Sequence, residues 1–124
     1  MIYTSYFAKS KQLDPDKYIF YSIAQYNPKG YKGQTISALA PSAPLLKWWK
    51  NSAQTSEDEF KYIEQYTKET LSNKNPKSFA EGLITISEGK IPVLLCYEKS
   101  ESFCHRHIIQ KWLTNAGIEC EEIK

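Results

Sequence analysis

The chain has 124 residues, the size of one ordinary domain, and its 16 basic and 14 acidic residues leave a formal net charge of +2. So even a balance gives no long-range pull toward nucleic acid or an anionic membrane, although a few well-placed donors still suffice for a local anion site. No stretch approaches the roughly 20 apolar residues of a membrane span, the start MIYTSYFAKS has neither the basic segment nor the apolar run of a secretory signal, and three cysteines make an odd set for a disulfide scaffold. Free thiols in the cytoplasm are the expectation.

The pattern predicts a single α/β domain over residues 1–124, a three-layer Rossmann-like fold with a small, mostly parallel sheet. Residues 2–7 are β-branched and aromatic and read as a first strand. Asp14-Pro15-Asp16 marks a turn. Residues 18–24, YIFYSIA, form a second strand whose nearly continuous apolar character suits cover on both faces. From 25 to 44 the prolines and glycines break regularity, and a loop this long inside a compact domain is often functional. LLKWWK, after Pro44, reads as a short helix. Residues 57–71 form a longer one, with Phe60, Ile63, Tyr66 or Thr67, and Leu71 at helical spacing and Ser56 as its cap. Asn75-Pro76 opens a helix to Ser87 that Gly89 stops. Residues 91–97, IPVLLCY, are the most apolar strand, followed by a helix over 103–116 ending at Gly117 and a final strand over 118–123. Tyrosine occurs nine times, so some of these rings must reach the surface or a cleft.

Parallel sheets bind ligands beyond the carboxyl ends of their strands, beside helix N-termini. The segment LLCYEKSESFCHRHIIQKWL, residues 94–113, puts a strand end, a polar turn and a helix start at that place. Ile108, Ile109, Trp112, Leu113 and Ala116 make the buried helix face, Cys104 and His105 extend it to the rim, and Arg106 and His107 fall on the more polar side. Three chemistries fit. Free backbone N–H groups with Arg106 make an anion site. Cys104 near a helix N-terminus, beside His105 and Arg106, is a candidate nucleophile of lowered pKa. Cys96, Cys104 and His105 offer zinc donors, but the separation of Cys96 and Cys104 is not the short paired pattern of structural sites, so no metal ligand set is expected. Plainer readings stand beside these: Cys96 as a packed core thiol, Cys104 as inert packing, His105 as a helix-end partner, Glu98 as a solvated residue or a brace for Arg106, Cys120 as structural.

The same run resembles the signature of the domain of unknown function 488 family, in which a strand ends in a cysteine with a glutamate close behind and a Cys-His-Arg opens the next helix. Cys96, Glu98, Cys104, His105 and Arg106 stand at the matching positions. IYTSYFAK and the loop YKGQTISALAP, residues 31–41, resemble one branch of that family, so the likeness spans nearly the whole chain. It differs from that branch in Gly30 before Tyr31 and Thr35-Ile36-Ser37 after Gln34. The resemblance implies a Rossmann-like fold, and a pocket where the motif meets Ser5, Tyr6 and the Tyr31-Lys32-Gly33 loop. It implies no settled activity.

Three functions compete. The first is binding or processing of a nucleotide-like or other small anionic molecule. Here Arg106 and Lys32 hold the anion, Tyr31 or Tyr6 stacks on a ring, Glu98 or His105 moves protons, and Cys104 is nucleophile or wall. The second is a nucleic-acid accessory role, from Lys29, Lys32, Lys47 and Lys50 with Trp48 and Trp49, against which LLKWWK reads as a helix packing its tryptophans. The third is a non-enzymatic interaction module in which the motif staples strand to helix.

Overall fold

The computed structural model describes residues 1–124. Its five strands are β1 (Ile2–Tyr6), β2 (Tyr18–Ser22), β3 (Gln34–Thr35), β4 (Ile91–Cys96) and β5 (Cys120–Glu122). They form one sheet in the order β3-β2-β4-β1-β5, and every neighbouring pair is parallel. The fold is α/β with a Rossmann-like three-layer arrangement. The expected mostly parallel sheet is wholly parallel.

Side chains alternate across the sheet. Ile2, Tyr21, Ile23 and Leu94 join the larger core cluster, under helices α2 (Ala43–Asn51), α3 (Ser56–Tyr66), α4 (Pro76–Ile86) and α5 (His105–Asn115). Val93, Leu95 and Ala24 face the other way and meet Phe7 of the short helix α1 (Phe7–Ser10), Ile123 and partly buried rings, among them Tyr18, Phe20 and Tyr31. The third layer is therefore thin, and β2 is less covered than its apolar run suggests.

Helices α2, α3 and α4 begin where the sequence supplies a side-chain acceptor. Ser42 caps α2. Thr55, not Ser56, caps α3 through a reciprocal box with Asp58, because its hydroxyl and the Asp58 carboxylate satisfy each other's backbone N–H. Asn75 caps α4. The expected 57–71 helix breaks at Tyr66 and continues as a π-helical turn over Thr67–Leu71. The buried face also differs from the expected one: Phe60 and Ile63 are exposed, while Tyr62, Tyr66, Thr70 and Leu71 are buried. The wider turn rotates Thr70 and Leu71 together onto the face of the two tyrosines. Tyr66 is tolerated there because its hydroxyl donates to the Leu39 carbonyl at 2.6 Å.

The irregular stretch after β2 holds β3 and a 3-10 turn over Ser37–Leu39, whose Leu39 is wholly buried. The chain leaves β2 toward β3 on one side and leaves β4 toward β5 on the other, so a crevice opens between their carboxyl ends.

Candidate functional site

A cavity of about 220 Å³ occupies that crevice. Its walls come from Ala24, Gln25 and Tyr26 after β2, from Trp49 and Lys50 of α2, and from Tyr62 of α3. Cys96 and Glu98 at the end of β4 and Phe103, Cys104 and His105 at the start of α5 complete it. Of the nine site residues expected from sequence, Cys96, Glu98, Cys104 and His105 line this space. Ser5, Tyr6, Tyr31, Lys32 and Arg106 do not.

The wall is aromatic by construction. Trp49 lies 4.7 Å from Phe103 and 5.6 Å from Tyr62, ring centre to ring centre, and Tyr62 meets Phe103 edge-on at 5.2 Å. Tyr26 stands at the mouth, 62% exposed. LLKWWK thus divides its labour: Trp49 faces the cavity, while Trp48 stays at the surface and Lys50 reaches the rim. The two tryptophans do not form one platform for stacked bases. Tyr26 and Tyr62 had no motif to mark them, and the abundance of tyrosine was their only signal; Phe103 lay within the segment over residues 94–113 but was not singled out.

The floor is a cluster of two thiols and an imidazole. His105 is 4% exposed and its Nε2 lies 2.6 Å from the Ile23 carbonyl oxygen. A carbonyl only accepts, so Nε2 carries a proton. Its Nδ1 faces Cys96 Sγ at 3.6 Å and Cys104 Sγ at 3.7 Å, and Cys96 Sγ also points to Glu98 Oε2 at 3.7 Å. The donor atoms of Cys96, Cys104 and His105 all lie within 4.8 Å of one another. The chain distance that argued against a metal set is spanned by the fold, which lays a strand end beside a helix start.

Cys104 occupies the cap position of α5 with an extended backbone, φ −157° and ψ 148°. Its expected low pKa is overturned. Burial pushes the thiol well up, the neighbouring Cys96 pushes the same way, and His105 opposes them without prevailing. At 3% exposure a thiolate there would lose nearly all of its hydration.

Arg106 is the largest correction. Expected on the polar side as an anion binder, it is fully buried, and its carboxylate partner is Glu122 rather than Glu98. Its Nε donates to both Glu122 oxygens at 3.2 Å and its Nη2 to Oε2 at 3.1 Å. Glu122 also accepts from the hydroxyls of Thr4 and Ser100. Burial alone would raise the Glu122 carboxyl, but these hydrogen bonds and the guanidinium charge hold it below the ordinary carboxylate value. Tyr6 packs beside this pair, its ring centre 6.0 Å from the guanidinium carbon.

The remaining expected contacts also serve the scaffold. Ser5 is buried and donates to the Ile123 carbonyl at 2.7 Å, tying β1 to the chain end. Tyr31 packs edge-on against Phe7 at 5.3 Å and donates to the Gln34 carbonyl at 2.6 Å, on the far side of the sheet from the cavity floor. Lys32 is exposed.

No curated protein and no solved structure matches the chain. A family model named DUF488-N3a and described as the active DUF488-N3 subclade matches residues 6–117, from the end of β1 through the last turn of α5. That span contains the Cys96–Arg106 segment and every wall of the cavity. The chain belongs to the DUF488 family, in the subclade described as active.

Proposed function

We propose that this protein binds a small molecule with a planar ring, of nucleobase or nucleoside size, in the cavity between the ends of β2 and β4. The carrying observation is the cavity itself: Tyr26, Trp49, Tyr62 and Phe103 make its lining aromatic, and Lys50, Glu98 and Gln25 supply the polar groups that orient a ligand. Its volume of about 220 Å³ holds a base and the start of a sugar, and leaves a larger ligand protruding past Tyr26. The anion-holding role moves from Arg106 to Lys50, the one cationic side chain on the wall. Glu98, at the mouth and beside the thiols, is the group placed to exchange a proton with the ligand. The description of the subclade as active supports a reacting ligand over a structural staple. The cytoplasmic setting belongs to this reading, with three unpaired thiols and no helix long and apolar enough to cross a membrane.

Calorimetric titration with a panel of nucleobases, nucleosides and nucleotides tests it. Tyr26→Ala removes an exposed ring without touching the core and is expected to weaken binding about tenfold, the size of one lost stacking contact. Lys50→Ala is expected to weaken phosphorylated ligands and spare neutral ones. Silence across the panel, or wild-type affinity in Tyr26→Ala, rejects the proposal.

A further inference from the structure

We infer that the cavity floor is a metal site: Cys96, Cys104 and His105 hold one Zn²⁺ ion, with the fourth coordination position open to the cavity. The site shares its floor with the proposed ligand pocket but is argued from the donor atoms alone.

The donor geometry fits. With Zn–S near 2.3 Å and Zn–N near 2.0–2.1 Å, a tetrahedral ion sets each sulfur about 3.6 Å from the ligating nitrogen. His105 Nδ1 lies 3.6 Å from Cys96 Sγ and 3.7 Å from Cys104 Sγ, and the whole set fits within 4.8 Å. The tautomer fits too. Metal-bound histidines ordinarily give their other N–H to a carbonyl or carboxylate, which fixes the ring and raises its basicity. His105 Nε2 donates in this way to the Ile23 carbonyl at 2.6 Å, which fixes the ring with its Nδ1 facing both sulfurs. Two thiolates and an imidazole favour zinc over calcium or magnesium. Three protein donors facing a cavity match the open type of zinc site, which binds water or substrate at the remaining position. Glu98 stands beside that position, 3.7 Å from Cys96 Sγ.

Both thiols give up a proton when the two Zn–S bonds form, so uptake releases two protons to solvent per ion, and Nδ1 gives none.

The test uses the full chain, stripped with a chelator under a phosphine reductant and titrated with Co²⁺ and then Zn²⁺, without organic ligand. One ion per chain is expected, with thiolate-to-cobalt charge-transfer absorbance, intense tetrahedral visible bands, and two protons released per Zn²⁺. Added azide is expected to change the visible bands by entering the open position. Cys104→Ser is expected to lose the tight binding, while Cys120→Ser, altering a buried thiol outside the cluster, keeps it. No uptake by wild type at micromolar metal, a weak octahedral cobalt spectrum without thiolate absorbance, or wild-type affinity in a folded Cys104→Ser overturns the inference. A spectrum indifferent to azide overturns the open position. Metal uptake with silence across the nucleoside panel would reject the ligand reading alone.

Discussion

Arg106 and Cys104 sit two residues apart, yet they meet different partners. Arg106 turns toward β5 and spends its charge on Glu122, whereas Cys104 turns toward β4 and meets Cys96 and His105. The Arg106–Glu122 pair is closed to solvent, with side chains 0% and 7% exposed, and Arg106 Nη1 has no partner at all. Removing one member of such a pair leaves a buried charge uncompensated. Glu122→Gln is therefore expected to destabilise the chain by about 3 kcal/mol near neutral pH, measured by denaturant unfolding. The pH dependence follows from the sign. Glu122 titrates lower in the folded chain than in the unfolded one, so its contribution is complete above the unfolded carboxylate value of about 4.3 and is lost as pH falls through the folded value. Melting temperatures of wild type and Glu122→Gln should converge on acidification. A gap independent of pH would show that the carboxylate charge is not what matters.

At the scale of elements, α5 decides where the motif points, and both of its ends are built for that. Its start has no side-chain cap, since Cys104 occupies the cap position and turns its sulfur inward. Its end is closed firmly. Gly117 adopts φ +84°, its N–H bonds to the Thr114 carbonyl and the Ile118 N–H bonds to the Leu113 carbonyl. This paired closure lets β5 begin three residues later and carry Glu122 back to Arg106. Gly117→Ala forces a side chain into left-handed backbone and is expected to cost about 1 kcal/mol, read as a lower unfolding midpoint with unchanged slope. A neutral result would mean the turn can relax. Helix α3 shows the limit of periodicity as a guide. Two registers of aromatic and aliphatic residues compete along it, and contacts with Trp49 of α2, with Phe103 and with His105 of α5 bury the tyrosine register and leave Phe60 in water.

For the whole molecule, the sheet order creates the crevice and the balanced charge limits its partners. Lys29, Lys32, Lys47 and Lys50 are all exposed, and against 14 acidic residues they give no strong basic field. Single-stranded DNA is therefore expected to bind weakly, with little change across ionic strength. An affinity falling steeply with salt would revive the nucleic-acid reading. The larger core joins all four long helices to the sheet, while the thin third layer leaves Tyr3, Tyr18 and Phe20 partly exposed.

Periodicity, turn residues and the motif were enough to assign four of the five strands, the main helices, the α/β class, the family and the strand-to-helix turn that bears Cys96, Glu98, Cys104 and His105, while the two-residue β3 lay hidden in the stretch read as irregular. Those signals are local, carried by residues a few positions apart along one element. Whether the Cys-His-Arg run acts as a unit was not a local matter, because neighbours at the start of α5 point toward different strands. Only packing could place Arg106 against Glu122, bring Tyr26, Trp49 and Tyr62 around the cavity from three separate segments, and remove Tyr6 and Tyr31 from it. Burial, which follows from the assembled layers and not from any one segment, then set the Cys104 thiol high where its helix position alone argued for low.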